Sequence, residues 1–204
     1  MLDLHPAARV VADLLDGVGD DRLSDPTPCD AYTVGDLLDH LMGLTVAFTL
    51  AARKSTAPVR LAAESRPGEA TVAHLAADWR VQLPRRLRAL AEAWEDPGAW
   101  EGMATAGGVT LPADVMGTVA VDELVIHGWD LARATGQRFT CDAASTQAVF
   151  AFTSIAARPE EAAAREGVFG PVVDVPADAP MLDRAIGLSG RAPAWSPRQA
   201  ARPR

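Results

Sequence analysis

Residues 121–137 read VDELVIHGWDLARATGQ, and the helix they predict organises both the fold and the site. At about 100° per residue, Glu123, His127 and Asp130 fall within an arc of about 60° on that helix. The same arc also contains the apolar residues Val119, Ile126 and Ala134. The ionisable groups therefore lie on the side that faces the core, where an unpaired charge is costly and needs a compensating partner.

Helical spacing of apolar residues continues on both sides of this helix. The predicted helices cover residues 2–16, 34–53, about 69–94 and about 112–135. A fifth helix begins at Thr140 or Asp142, and a short one lies around residues 179–188. Because strand patterns are almost absent, the sequence predicts an all-α fold built as a helical bundle.

The segments between the predicted helices are rich in glycine, proline and charge. Gly107 and Gly108 predict a short extended or hairpin-like insert before the fourth helix, and residues 53–70 read as a long loop. The segment before the last helix is irregular, with a short strand as an option. We therefore expect one domain over residues 1–196, followed by a basic, disordered tail over residues 197–204.

Composition and charge limit the classes of function. The formal net charge is −8 and the pI is about 4.9, which argues against a nucleic-acid partner and against anionic membrane surfaces. The longest charge-free apolar stretch covers residues 41–52 and is shorter than a membrane span, which needs about 18 residues. The N-terminus lacks the basic segment of a signal peptide. The sequence therefore predicts a cytoplasmic protein whose two cysteines, Cys29 and Cys141, form no disulfide framework.

The core side of the fourth helix also has the spacing of a metal site. Glu123 and His127 lie one helical turn apart and can chelate one ion. A third ligand must come from elsewhere, and the chain has four histidines. His40 borders the apolar stripe of the second helix, where it could face the fourth helix. His5 at the chain start and His74 on the polar side of the third helix suit surface positions instead.

Two histidines and one carboxylate leave one position of a tetrahedral zinc ion open, as in catalytic zinc sites. Asp130 would then accept a hydrogen bond from the His127 imidazole, although a salt bridge to Arg133 or another arginine is an equal alternative. A competing interpretation has no metal, and Glu123 and His127 then satisfy each other inside the bundle. Spacing alone does not decide between these interpretations.

Three stretches of the chain together resemble a known family. They read TPCDAYTVGDLLDHLMG at 27–43, VDELVIHGWDLARATGQ at 121–137 and FGPVVDVPADAPMLDRAIGLSGRAPAW at 169–195. The family is the actinobacterial branch of the DinB-like superfamily, close to the metal-binding domain of mycothiol-dependent maleylpyruvate isomerase. The resemblance covers residues 5–196. It does not extend to the extra C-terminal domain of that isomerase.

This resemblance implies a DinB-like four-helix bundle with a metal site between its helices, followed by small C-terminal helices. The ligands would be His40, Glu123 and His127, with zinc as the metal and nickel as an alternative. Characterised members of the superfamily include transferases that use mycothiol or bacillithiol as the thiol.

We therefore expect a metal-dependent transferase of a low-molecular-weight thiol, with mycothiol as cosubstrate, that acts on a small electrophile. A metal-dependent hydrolase of small molecules is one alternative, and it would need Asp130 or Asp36 as general base because Glu123 is used as a ligand. A non-catalytic metal-binding or regulatory module is another. A homodimer is the default oligomer.

Overall fold

The computed structural model describes residues 1–55 and 70–197. Its α-helices, in chain order, are α1 (His5–Leu15), α2 (Val34–Ala52), α3 (Trp79–Ala93), α4 (Ala113–Thr135), α5 (Ala143–Ala156), α6 (Ala162–Arg165) and α7 (Met181–Leu188). Two antiparallel strands, β1 (Met103–Ala106) and β2 (Val109–Pro112), form a hairpin between α3 and α4. The predicted loop over 53–70 and the predicted tail over 197–204 lie largely outside the described residues.

The first four helices form the bundle. α1 and α2 each pack against both α3 and α4, which closes the four helices around one apolar core. α5 packs on α4, α7 packs on α5, and the hairpin packs on α2 and α4. These contacts confirm the prediction of an all-α bundle with a hairpin insert and small C-terminal helices.

α4 is buried nearly all round, because the bundle covers one side of it and α5 covers the other. Its residues Val121, Leu124 and Leu131 are fully buried, as the core of a bundle requires. Asp130 is equally buried, at 0% exposure, and His127 is 8% exposed. Polar side chains buried in this way require hydrogen-bond or charge partners, so α4 is the candidate location of a functional site.

Side chains fix the ends of the helices that carry the site. Thr33 Oγ1 accepts a hydrogen bond from the N–H of Asp36, and Asp36 Oδ2 accepts one from the N–H of Thr33 at 3.0 Å, which makes a capping box at the start of α2. Asp142, one of the two predicted start residues, caps α5. α4 ends at Gly136, whose φ of 74° lies in the left-handed region that glycine adopts at least cost.

The third helix differs from the prediction. It begins at Trp79 rather than near Glu69, and Val72–His74 form a separate 3-10 turn before it. The 3-10 turn is held by a long-range contact, in which Asp36 Oδ1 accepts a hydrogen bond from the N–H of Val72 at 2.7 Å. That bond ties the turn to the start of α2, and the backbone at Leu75, with a ψ of 119°, leaves the helical region and interrupts the helix before Trp79.

The segment before α7 also differs in one respect. The optional strand is absent from residues 166–180, all of which the structure describes, and α6 and a 3-10 turn at Pro159–Glu161 appear instead earlier in the chain. The irregular segment is joined to α7 through a hydrogen bond from the N–H of Val173 to Gly187 O at 2.9 Å. It therefore runs alongside α7 rather than in a sheet.

Within the described residues, α2 has the length and apolar composition of a membrane-crossing helix. However, 61% of its 18-residue apolar segment is buried inside the bundle, and Leu37, Leu38 and Leu41 are fully buried. Such burial is typical of the core helix of a soluble protein.

Candidate metal centre

His40, Glu123 and His127 converge where α2 packs against α4. Glu123 Oε2 lies 3.3 Å from His40 Nε2 and 3.2 Å from His127 Nε2. One ligand atom from each residue lies within 4.8 Å of the other two, and no other His, Cys, Asp or Glu of the described residues joins this group. The structure thus brings together the three residues that spacing and resemblance had selected, in an arrangement that can coordinate one ion.

The three side chains of the cluster come from two helices, α2 and α4. Glu123 and His127 extend from successive turns of α4, while His40 reaches across from α2. The His40 and His127 rings meet edge to face, with centroids 4.8 Å apart and an interplanar angle of 78°. The side chain of Glu123 is 24% exposed, compared with 10% for His127. The site therefore opens to solvent on the side of Glu123.

His40 has an aromatic partner that sequence reasoning missed. The ring of Tyr32 stacks on the His40 ring, with centroids 5.0 Å apart and an interplanar angle of 30°. The Tyr32 hydroxyl lies 3.4 Å from His40 Nδ1. Thr27 Oγ1 donates to Tyr32 O at 2.8 Å and so shapes the turn that carries the tyrosine. Tyr32 is the only tyrosine of the chain and lies just before α2, which is the signal that could have found it.

His127 is oriented by a buried carboxylate. Its Nδ1 lies 3.0 Å from Asp130 Oδ2, and Asp130 is inaccessible to solvent. The same oxygen accepts a hydrogen bond from Arg191 Nη2 at 3.0 Å, and Asp130 Oδ1 accepts one from Arg191 Nε at 3.3 Å. Asp130 thus makes both contacts that the sequence had left as alternatives. The arginine is Arg191 and not Arg133, whose Nη2 instead donates to Trp195 O at 2.7 Å.

The charges of this cluster perturb one another strongly. Burial alone would lower the pKa of His127, but hydrogen bonds to Asp130 and Glu123 outweigh it and raise that pKa to about 9. Burial raises the pKa of Glu123, yet hydrogen bonds from His127 and His40 hold it well below its usual range. In the metal-free protein, a proton on His127 and the guanidinium of Arg191 together therefore balance the carboxylates of Glu123 and Asp130.

Asp122 is a second buried acid that the sequence analysis did not single out. It is 4% exposed, and its Oδ1 has no hydrogen-bond partner among the described residues. Burial, reinforced by the charge of Glu123, raises the pKa of Asp122 well above its usual range. Asp122 therefore favours the neutral acid. Its spacing from Asp130, two helical turns along α4, is the signal that could have placed it on the buried side.

The other candidate residues lie outside the cluster. Asp36 is used in the capping box and in the contact with Val72, so both of its oxygens are engaged. His5 Nε2 lies 2.8 Å from Glu95 Oε1, and His74 is exposed in its 3-10 turn, which agrees with the predicted surface positions.

Both cysteines are free and half-buried. Burial raises the pKa of the Cys29 thiol and of the Cys141 thiol, so neither is poised as a thiolate nucleophile.

Comparison with known proteins agrees with this architecture. Two uncharacterized proteins, from two strains of Mycobacterium tuberculosis, are each 29% identical to the chain over 136 residues, which is 67% of this chain and 67% of each relative. The crystal structure of the mycothiol-dependent maleylpyruvate isomerase superposes with a TM-score of 0.54 at 18% identity, covering 74% of this chain and 66% of that one.

A histidine-to-alanine mutant of that isomerase superposes with a TM-score of 0.56 at 19% identity and the same coverage. The chain thus spans just under two thirds of the isomerase, and at this identity the likeness concerns the fold. The family model for the mycothiol maleylpyruvate isomerase N-terminal domain matches residues 4–132, which include α1 to most of α4 and all three candidate ligands. On this match, the chain belongs to the family of the mycothiol maleylpyruvate isomerase N-terminal domain.

Proposed function

We propose that this protein is a metal-dependent transferase or isomerase of a low-molecular-weight thiol, with mycothiol as the thiol and a small electrophile as the substrate. The observation that carries the proposal is the convergence of His40, Glu123 and His127 at one partly open point of the bundle. Membership in a family named for a mycothiol-dependent isomerase supports the choice of thiol.

The donor set fits a divalent ion. Two imidazole nitrogens and one carboxylate oxygen suit zinc, and nickel is an alternative for the same donors. Both histidines direct Nε2 toward Glu123, while their Nδ1 atoms face Tyr32 and Asp130. This is the arrangement that metal-binding histidines normally have, with the far nitrogen held by an outer partner.

The balance of buried charge supports an anionic fourth ligand. A divalent ion, the carboxylates of Glu123 and Asp130 and the guanidinium of Arg191 together leave one positive charge, and Asp122 adds nothing while it is protonated. A single thiolate would make the cluster neutral. A bound divalent ion supplies the positive charge that favours the thiolate form of a thiol at neutral pH.

The residues of the chain then have distinct roles. His40, Glu123 and His127 hold the ion, and Asp130 and Tyr32 keep the two imidazoles in their orientations. The thiolate sulfur would form a bond to an electrophilic carbon of the substrate, whose displaced electron pair would take up a proton or leave with a leaving group. No nucleophile from the protein is required, in keeping with the raised pKa values of both cysteine thiols.

The alternatives have less support. A hydrolase needs a free general base, whereas Asp130 is held by His127 and Arg191, and Asp36 is held in the capping box. A purely structural metal normally has four protein ligands, and the described residues provide three. We further place the protein in the cytoplasm, where thiols are kept reduced, and take a homodimer as the default oligomer.

The first test is the metal content of untagged protein, measured by plasma mass spectrometry. We expect near-stoichiometric zinc or nickel in the wild type, loss of the metal in His40→Ala and His127→Ala, and retention in His74→Ala, a matched control on an exposed histidine. Metal-free wild-type protein that gains none on titration would overturn the proposal.

The second test addresses the thiol. Cobalt-loaded protein titrated with mycothiol should develop sulfur-to-cobalt charge-transfer absorption, whereas the alcohol analogue of mycothiol should not produce it. A loaded protein whose spectrum is unchanged by the thiol would retain the metal centre but exclude the thiol-transfer mechanism.

A further inference from the structure

Arg191 enters the site from a part of the chain that lies beyond the residues matched by the family model, which end at residue 132. It follows α7, and its side chain extends back to α4, where it is 7% exposed. A buried guanidinium is costly unless it is paired, and here its partner is Asp130. The C-terminal helices therefore deliver one charged group to the candidate metal centre.

The backbone around Arg191 is tightly constrained. Gly190 adopts a φ of 88°, and a Cβ added there would come within 2.7 Å of Gly170 Cα, so only glycine allows this turn. The N–H of Arg191 donates to Ile186 O at 3.1 Å, and its Nη1 donates to Ser189 O at 3.0 Å. These contacts fix both the start of the side chain and the plane of the guanidinium.

Asp130 is the shared element between Arg191 and the site. Its Oδ2 accepts hydrogen bonds from both His127 Nδ1 and Arg191 Nη2, each at 3.0 Å. Its Oδ1 accepts a second hydrogen bond from the same arginine, so the guanidinium grips both oxygens. The carboxylate cannot rotate about its χ angles without breaking these buried contacts, and the His127 ring is held with it.

We propose that Arg191 is a positioning residue of the metal centre, which acts by clamping Asp130 and thereby directing His127 Nε2 toward Glu123 and the ion. The inference rests on the proposed metal centre and adds a role for the C-terminal helices. α5 and α7 form the support from which Arg191 reaches its partner. On this basis, the ligands and the carboxylate of Asp130 lie within the matched residues, and the arginine that clamps this carboxylate lies outside them.

Paramagnetic NMR of cobalt-loaded protein tests the clamp directly. Each coordinated histidine should give a hyperfine-shifted, solvent-exchangeable Nδ1–H resonance. In Arg191→Met, the resonance of His127 should shift or be lost through faster exchange, while that of His40, which faces Tyr32, should remain as an internal reference. Cobalt affinity should fall, with about 10- to 100-fold as the upper range, because that is the cost of losing the direct outer partner of a metal ligand and Asp130 is still present in this variant.

Two further variants separate positioning from folding. Arg191→Lys keeps the charge but loses the two-pronged grip, so it should retain the fold and show an intermediate change in the His127 resonance. Arg133→Met is the matched control, because Arg133 anchors the same segment through the carbonyls of Pro193 and Trp195 without contacting Asp130. Its His127 resonance should be unchanged. In an Asp130→Asn background, Arg191→Met should add less than it does alone.

The outcomes distinguish this inference from the proposed function. Wild-type protein that binds no cobalt would remove the metal centre itself. Suppose instead that the wild type shows both resonances, and that Arg191→Met and Arg191→Lys change neither the His127 resonance nor the cobalt affinity. That result would overturn the clamp and leave the metal centre intact. An equal effect of Arg133→Met would overturn it as well, because general loosening of the C-terminal segment would then explain the result.

Discussion

The Tyr32 ring stacks on the His40 ring at 5.0 Å, and its hydroxyl lies 3.4 Å from His40 Nδ1. Tyr32 thus orients the candidate ligand His40 on α2, as Asp130 orients the candidate ligand His127 on α4. The two outer partners differ in strength, since a neutral hydroxyl at that distance orients the imidazole less firmly than a buried carboxylate at 3.0 Å. The site therefore has one loosely held and one firmly held histidine.

Tyr32→Phe tests the weaker contact. It removes the hydroxyl and keeps the stacked ring, so we expect the fold to be unchanged and the metal affinity to fall by about tenfold or less. Competition with a chelator of known affinity measures the change. Tyr32→Ala, which also removes the ring, should weaken binding further. Equal affinities for Tyr32→Phe and wild type would show that the stacking alone orients His40.

Metal binding should depend on pH with a defined sign. In the metal-free protein the pKa of His127 is raised to about 9, so below that pH a proton must leave His127 before Nε2 can bind an ion. The apparent affinity should therefore rise about tenfold per pH unit as the pH increases toward 9, and level off above it. Calorimetry in buffers of different ionisation enthalpy should count one released proton.

Asp130→Asn provides the control for this dependence. It removes a negative charge and replaces a charged hydrogen-bond acceptor by a neutral one, so the pKa of His127 should fall and the rise in affinity should level off at a lower pH than in the wild type. An affinity that is flat between neutral pH and pH 9 in the wild type would contradict the assignment of the proton to His127.

Asp122→Asn should increase the stability of the metal-free protein at alkaline pH. Burial raises the folded-state pKa of Asp122 above its unfolded value, so ionisation costs folding free energy as the pH rises above that unfolded value. Asparagine resembles the neutral acid and does not ionise. Urea unfolding should thus give a higher midpoint for the variant at pH 8 and equal midpoints in acid. A variant that is less stable at pH 8 would indicate that the carboxylate is needed in its charged form.

Gly117→Ala tests the packing of α4 against the hairpin end of the bundle. A Cβ at this position would lie 2.6 Å from the Trp100 ring and 2.8 Å from the Trp94 ring. These rings pack edge to face, and Trp100 Nε1 donates to Trp94 O at 2.8 Å, so they have little freedom to move. We expect a loss of about 1–3 kcal/mol in the free energy of unfolding.

Gly98→Ala is the matched control for that substitution. Gly98 is exposed, and an added Cβ there would meet Asp96 Oδ1 at 3.3 Å, at the end of a side chain that can adjust. Its effect should stay within about 0.5 kcal/mol. If both variants unfold at the same urea concentration, the close approach of Gly117 to the two tryptophans does not limit stability.

The sequence predicts the residues of this site that helical periodicity places on one side of a helix, and it does not predict the arginine that pairs with them from a distant part of the chain. Glu123 and His127 lie on one helix, so periodicity alone places them together, and the apolar stripe of α2 directs His40 toward them. Arg191 could not be assigned to Asp130, because the pair is 61 residues apart in the chain and several arginines suit the role. The start of α3 does not follow from periodicity either, because the apolar spacing continues through Val72 and Leu75 while the backbone at Leu75 leaves the helical region.

The position of Arg191 in the chain also sets an order of assembly during synthesis. A nascent chain that has emerged from the ribosome as far as α5 already contains all three candidate ligands on α2 and α4. Its Asp130 still lacks the guanidinium that holds it, because the turn at Gly190 has not yet emerged from the ribosome. An ion bound at that stage would therefore meet a His127 whose carboxylate partner is not yet clamped, and the candidate centre would be complete only when α7 docks on α5.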